Sequence, residues 1–279
     1  MTPQQDRAQA FHALHSSGTM FVLPNPWDVG SARILSGLGF SALATTSAGF
    51  ANWQKGAPDY SVTRDAVLGH IRSLAAATDL PLTADLENGF GHTPSICSET
   101  IRLGAEAGLV GGSIEDFTGD PANPQYPIGL ATERIAAAIE AANALSFPFT
   151  LTARAENFFT GKPDLADTIT RLQAYQDAGA HVLYAPGLRS MNDIRSVLAS
   201  IDRPLNVLLG PFDGFVPLSR LAELGVARVS MGSALANAAF GALIGAARDL
   251  LGPGTLDFLA TAADGRTLDR WLGDNRAPN

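Results

Sequence analysis

AEAGLVGGSIED (105–116), QDAGAHVLYAPG (176–187) and AELGVARVSMGS (222–233) carry one pattern three times. In each, a helical run ends on Ala-Gly or Leu-Gly and a short apolar run follows at once. A glycine there supplies the positive φ that closes a helix, so each segment predicts a helix end feeding a strand. Outward from these, the same rhythm yields eight strand candidates: MFVLPN (20–25), FSALATTS (40–47), LPLTADLE (80–87), LVGGSIED (109–116), FPFTLTARAE (147–156), AHVLYAPG (180–187), PLNVLLG (204–210) and ARVSMGS (227–233). Amphipathic runs between them fit helices, with Asp28, Thr63, Ser95 and Thr132 as N-cap candidates and Gly37 or Gly39 ending the first. Alternating strands and helices predict an α/β fold, and eight repeats predict a (β/α)8 TIM barrel over residues 1–250. An open doubly wound sheet has the same local rhythm, but no GxGxxG follows the first strand candidate. The Ala-rich run from 234 (ALANAAFGALIGAARDLL) predicts a helix, GPG (252–254) interrupts it, and 251–279 reads as a C-terminal helical extension. Apolar faces beyond the eighth strand need cover, and a neighbouring subunit is the candidate.

Composition narrows the function. The 279 residues are 46% hydrophobic and 16% charged, which suits a large buried core and excludes a disordered chain. Net charge is −8 and no Lys/Arg run occurs, so a nucleic-acid partner is not expected. An anionic substrate would have to be met locally, by a metal, an arginine or helix N-termini. The single cysteine, Cys97, permits neither an intrachain disulfide nor a Cys-rich zinc site. The N-terminal MTPQQDRAQAFHALHSS does not read as a signal peptide, and every long apolar run is punctuated. The expectation is a cytoplasmic protein with no membrane segment.

Barrel enzymes work at the C-terminal ends of their strands, and those ends are polar here. The third candidate ends in Asp85-Leu86-Glu87; two residues apart on a strand, both acids are expected on one face. The fourth ends in Ser113-Ile114-Glu115, and the fifth places Thr150, Thr152 and Arg154 on one face, with Arg154 expected beside Glu115. Asp59 follows the second strand, after Gly56-Ala57-Pro58. Acids gathered at one mouth are tolerable around a cation or a proton. Their hard oxygens suit Mg²⁺, with Mn²⁺ as the alternative, better than zinc. Solvated loop acids and a structural ion pair at Arg154 are the plainer alternatives. Thr46, Ser47, Ala48 and Gly49 are small enough for a ligand to approach the backbone, whose N–H groups can hold a carboxylate or oxyanion. The long loop FTGDPANPQYPIG (117–129) reads as a lid, with Asn123 and Tyr126 as its reaching side chains. Trp27 could line the mouth, Phe158-Phe159 an apolar wall, and Asn206 is a polar residue in an apolar strand.

In order and spacing, NPWDVGSARIL (25–35), ATTSAGF (44–50), ADLENGFG (84–91), SIEDF (113–117), LTAR (151–154), YAPG (184–187), PLNV (204–207) and RVSMG (228–232) resemble the isocitrate lyase/phosphoenolpyruvate mutase family. The resemblance implies a (β/α)8 barrel, homotetrameric or homodimeric, with a C-terminal helix exchanged between subunits. It implies Mg²⁺ held mostly through waters, near Asp59, Asp85, Glu87 and Glu115; Asp is usual at the position of Glu87. It implies Arg154 near the substrate, and Ser47, Ala48 and Gly49 around its carboxylate and oxyanion. Lyases of the family resemble one another in a lid cysteine, and mutases and phosphonopyruvate hydrolases in a lid lysine. FTGDPANPQYP has neither, although Asn123 matches an asparagine of the mutase lid. The expected activity is therefore a Mg²⁺-dependent carbon–carbon lyase, decarboxylase or hydrolase. Its substrate would be a small 2-oxo or 2-hydroxy di- or tricarboxylic acid, cleaved through an enolate-like intermediate with Tyr126 or water carrying the proton. P–C chemistry and a non-catalytic keto-acid binder are the alternatives.

Overall fold

A computed structural model of the chain describes residues 2–55, 62–210 and 216–272. After α1 (Pro3–Ser16) the order is β1 (Phe21–Leu23), α2 (Val29–Gly37), β2 (Leu43–Ala44), α3 (Ser47–Lys55), α4 (Arg64–Ala75) and β3 (Leu82–Asp85). Next come α5 (Pro94–Glu106), β4 (Gly111–Glu115), α6 (Ile128–Asn143), β5 (Thr150–Arg154), α7 (Leu165–Asp177) and β6 (Val182–Tyr184). The chain continues through α8 (Met191–Leu198), β7 (Leu205–Leu208), α9 (Leu218–Glu223), β8 (Arg228–Ser230), α10 (Ala234–Leu251) and α11 (Gly265–Leu272).

The repeated glycines do what their pattern requires: Gly108, Gly179 and Gly225 have φ of 107°, 99° and 92°. Each turns a helix straight into a parallel strand. The eight strands form one sheet in the order β1-β8-β7-β6-β5-β4-β3-β2, every pair parallel. The seam between β1 and β2 is drawn together by Ala44 N–H donating to Pro24 O at 3.0 Å and by Asn25 Nδ2 donating to Thr45 O at 2.9 Å. The result is a nearly closed (β/α)8 barrel.

Alternation along the strands divides the side chains. Ile114, Leu151, Leu183, Leu205, Val207 and Val229 face outward into the main core beneath the helices. A second apolar cluster fills the base of the barrel, where Phe11 of α1 packs with Leu23, Ala42, Ala44 and Val110. Gly111 makes room for it, since a Cβ there would lie 2.9 Å from Phe11 Cε1. Gln4 of α1 donates to Ala105 O and Leu109 O, so the helix closes the N-terminal end.

Two N-caps are as expected: Asp28 forms a capping box with Ser31, and Thr63 accepts from Ala66 N–H. Ser95 and Thr132 are not caps. Proline at or just before the first turn starts both helices earlier, at Pro94 and after Pro127. Thr132 lies inside α6, its hydroxyl donating to Ile128 O.

Alone among the described helices, α10 is long and apolar enough by length and composition to cross a bilayer, and only 6% of it is buried. Gly241, Gly245, Arg248 and Asp249 interrupt its apolar run. Leu243, Ile244, Leu250 and Leu251 stand exposed along it. Beyond it the chain returns to the barrel, where α11 sets Trp271 against Gly37 of α2 and Leu272 O accepts from Arg33.

Three histidines are built in as neutral groups. Burial, aided by the Arg228 charge, pushes His15 down to about 3. Burial likewise pushes His70 and His181 down to about 4. His181 Nδ1 accepts from Leu151 N–H at 3.0 Å, which requires that nitrogen to be unprotonated. Between about pH 4 and 6.5 these three rings bind more protons in the unfolded chain than in the folded one, and their stabilisation, present above 6.5, is lost as pH falls. The urea midpoint should therefore drop between pH 7 and pH 5; a flat midpoint would show that these rings are not held neutral.

Candidate active site at the C-terminal mouth

The strands' C-terminal ends surround a cavity of about 380 Å³. Its polar wall is built on Arg154, the last residue of β5. Nη1 reaches Asp85 Oδ1 at 2.7 Å, Nη2 reaches Glu115 Oε2 at 2.9 Å, and Nε reaches Glu156 Oε1 at 2.8 Å. Register explains two of these contacts: Asp85 pairs with Ser113 across β3–β4, and Glu115 pairs with Arg154 across β4–β5. The guanidinium also lies 5.2 Å from the centre of the Tyr184 ring.

Asp85 is the acid that borders the cavity from β3. Its Oδ2 accepts from the Ser47 hydroxyl at 2.7 Å, and its Oδ1 accepts from Glu87 N–H at 3.2 Å. Burial works against its ionisation, but the Arg154 charge and these hydrogen bonds hold the carboxyl below the usual range. Glu156 shows the opposite balance: burial, only partly offset by Arg154, pushes it up to about 7. Its share of stability is whole below the unfolded value of 4.5 and lost as pH rises through 7, opposite in sign to the three histidines.

Glu87 departs from the strand alternation. β3 ends at Asp85, and Glu87 has φ of 49°, with Gly89 and Phe90 also left-handed. The two acids therefore do not share one strand face. Both do border a gap of about 10 Å³ beneath α3, with Thr46, Ser47 and His70. Arg134 of α6 holds this turn by donating to Asn88 O and Gly91 O.

The strand-like run ATTS turns into helix earlier than its sequence suggests. α3 starts at Ser47, and Thr46 Oγ1 accepts from Gly49 N–H at 3.2 Å. Thr46, Ser47 and Ala48 border the cavity; Gly49 does not, and a Cβ on it would lie 2.5 Å from Thr46 Cγ2. A helix start presents backbone N–H groups to an anion; here Ser47 N–H lies 3.5 Å from Asp85 Oδ2 and Gly49 N–H is held by Thr46, so that role falls to Ala48 N–H. Asn206 also borders the cavity, with Nδ2 donating to Ser230 Oγ at 2.9 Å.

Other sequence candidates lie elsewhere. Asp59 is outside the described residues. Trp27 is half-buried and does not border the cavity. The 117–129 loop folds on itself through a Phe117–Gln125 bridge, so Phe117 reaches the cavity while Asn123 is exposed and bonded to Asp120. Tyr126 turns inward, its hydroxyl 2.7 Å from His92 Nδ1 and its ring under Arg134. Of the expected apolar wall, Phe159 borders the cavity and Phe158 packs against the core. Cys97 is buried on α5 and is not part of the loop. Glu156, Tyr184, Arg228 and Ser230 border the cavity but were not singled out from sequence. An arginine opening an otherwise apolar strand was the available signal for Arg228.

The profile of the phosphoenolpyruvate phosphomutase family matches residues 11–251. The chain belongs to the isocitrate lyase/phosphoenolpyruvate mutase family. A crystal structure of a candidate lyase/mutase from Burkholderia cenocepacia J2315 is 53% identical, covers 98% of each chain and superposes with a TM-score of 0.94. An oxaloacetate decarboxylase of Pseudomonas putida (strain GB-1) is 28% identical over 254 residues, 88% of this chain and 84% of that one. A phosphonopyruvate hydrolase solved with oxalate and Mg²⁺ shares the fold at 24% identity, covers 97% of this chain and 96% of that one, and has a TM-score of 0.84. Within this family the chain lacks a lid cysteine, since its one cysteine is Cys97.

Whether Mg²⁺ suits this member turns on its acids. Among the described residues no three acidic or histidine side chains converge as a ready metal cage. Three carboxyl groups share the single Arg154, however, so acids outnumber the base there, and Asp85 brings oxygen-only donors to the cavity wall. That arrangement fits a hard cation held by one carboxylate and otherwise through water and substrate.

Proposed function

We propose that this chain is a Mg²⁺-dependent enzyme that breaks a carbon–carbon bond in a small 2-oxo or 2-hydroxy di- or tricarboxylic acid, as a lyase, decarboxylase or hydrolase. The observation that carries this reading is Asp85, ionised at the cavity wall between Ser47 and Arg154 amid an excess of acid. The kinship with oxaloacetate decarboxylases supports the carboxylic branch.

Asp85 would hold the cation, with Glu115 and Glu87 behind it acting through water. When bound, Mg²⁺ would supply Lewis-acid polarisation of the substrate carbonyl and so favour an enolate. Ala48 N–H, at the start of α3, would hold the adjoining carboxylate, with Ser47 beside it bonded to Asp85. Arg154 keeps Asp85 ionised and holds Glu115 in place. A proton carrier has to border the cavity, and Tyr126 does not. Glu156 does, and its value of about 7 suits transfer near neutrality. The exposed apolar face of α10 is read as a contact with a second copy of the chain, in a homodimer or homotetramer.

The test is a Mg²⁺-dependent screen of the purified chain with product detection by mass, over oxaloacetate, isocitrate, methylisocitrate, alkylated malates and phosphonopyruvate. Release of a keto acid from a carboxylic substrate is expected. Turnover of phosphonopyruvate alone would move the protein to P–C chemistry. Silence across the panel would defeat the reading. Light scattering on the same sample should show an assembly, and a monomer would remove the role given to α10.

A further inference from the structure

At the base of the cavity stands an arginine that the chemistry above does not use. Arg228 opens β8, points into the barrel and is only 4% exposed. Its Nε donates to Asn206 Oδ1 at 2.9 Å, and its Nη2 to Thr152 Oγ1 at 3.0 Å. Its Nη1 lies 3.1 Å from His15 Nε2. His15 Nδ1 lies 2.9 Å from Phe11 O, which fixes the proton on Nδ1 and leaves Nε2 as a neutral acceptor. Every partner of Arg228 is thus uncharged, and among the described residues no carboxylate stands at ion-pair distance from it. The contrast with Arg154, which shares three carboxylates, is sharp. Burial weakens the hold of Arg228 on its proton, to about 10, yet it stays charged at neutral pH.

A buried charge without a counter-charge is costly, and the cost falls when an anion arrives. Arg228 can receive one. It borders the cavity, and three of its five N–H groups are committed, leaving one on each terminal nitrogen. Ser230, two residues on, faces the same side and borders the cavity too. Leu23 and Ala44 line the cavity with the buried hydroxyls of Thr83 and Thr152, all uncharged, so an anion there would meet no rival carboxylate and little water.

We propose that Arg228, flanked by Asn206 and Ser230, seats a second carboxylate of the substrate, so that the cavity selects dicarboxylic over monocarboxylic acids. This rests on reading the cavity as a carboxylic-acid site, but its test needs no turnover.

Succinate and butyrate share a four-carbon skeleton and differ by one carboxylate. Calorimetric titration of the full chain in Mg²⁺ buffer should show tighter binding of succinate. Arg228→Gln should weaken succinate by about 10- to 100-fold, as for loss of a charge-assisted pair, and leave butyrate within about threefold. Arg228→Lys should restore part of the loss, because the charge returns without the fork. A co-crystal of the unaltered chain with succinate should place a carboxylate within hydrogen-bond distance of Arg228, which keeps the test independent of how the variants fold. Equal weakening of both acids, unchanged succinate affinity in Arg228→Gln, no succinate binding by the unaltered chain, or a succinate that avoids Arg228 would each overturn the proposal. Succinate binding that depends on Arg228, in a chain inert on every carboxylic substrate, would sustain this site and defeat the activity instead.

Discussion

Asp85→Asn is expected to cut Mg²⁺-dependent kcat/KM by at least ~10³-fold, equivalent to roughly 4 kcal/mol of transition-state stabilisation. The substitution keeps shape and removes charge. The amide oxygen can still accept from Arg154 and Glu87 N–H while the amide NH2 donates to the Ser47 hydroxyl oxygen, and Arg154 retains Glu115 and Glu156, so the wall should stay assembled. What disappears is the ionised oxygen at the cavity wall. If Asp85 holds the cation, the metal requirement should rise steeply as well, with more Mg²⁺ needed for half-maximal rate. Asp85→Glu separates charge from placement: it should recover some metal binding and little rate, because one methylene moves the oxygens off the Ser47–Arg154 line. Steady-state rates against Mg²⁺ concentration, with near-ultraviolet dichroism to check the fold, decide the matter. An Asp85→Asn protein keeping a tenth of the activity and an unshifted Mg²⁺ curve would sink the assignment.

The barrel and its mouth were readable in different ways. The barrel was legible because helix ends recur with a glycine at a fixed place, and the positive φ of Gly108, Gly179 and Gly225 is a backbone requirement that leaves a mark in sequence. The meeting of Glu115 with Arg154 was legible because both close adjacent strands with matching alternation. Alternation stops being informative where the strand stops. Glu87 lies just past that point, and its left-handed backbone has no simple signature in a non-glycine residue. Tyr126 looked exposed because it sits in a proline-rich loop, yet the loop returns on Phe117 and buries it. α1 was not anticipated, because its inward contribution rests on Phe11 and Ala8 in a mostly polar stretch. Attention to strand C-terminal ends also hid Arg228, which starts its strand and reaches the cavity from below.

Asp116→Ala should be among the most damaging single changes to stability, by ~3–5 kcal/mol, the range for stripping one partner from a buried ion pair. Asp116 follows Glu115 directly and is 2% exposed. Its Oδ1 accepts from Glu156 N–H at 2.9 Å; its Oδ2 accepts from Tyr175 Oη at 2.7 Å and from Arg171 Nη1 at 3.0 Å. Truncation strands the Glu156 N–H and the buried Tyr175 hydroxyl, which has no route to water, and takes the buried counter-charge from Arg171, whose Nη1 keeps only Tyr126 O. Arg171 keeps Asp167, at 2.6 Å, but that acid is exposed and its pairing is screened, so it cannot replace the buried partner. Asp116→Asn preserves shape and part of the hydrogen bonding while losing the charge, so it should cost less than Ala. The damage should also reach the active site, because the Asp116 bond to Glu156 N–H places the backbone that carries the Glu156 carboxyl to Arg154. Folded Asp116→Asn protein should therefore lose activity while its succinate affinity changes little, since Arg228 and its neighbours stand on β5, β7 and β8 rather than on this network. Urea unfolding of the two variants beside the unaltered chain reads the first effect. A loss below ~1 kcal/mol for the alanine variant would show that solvent, not protein, satisfies these donors.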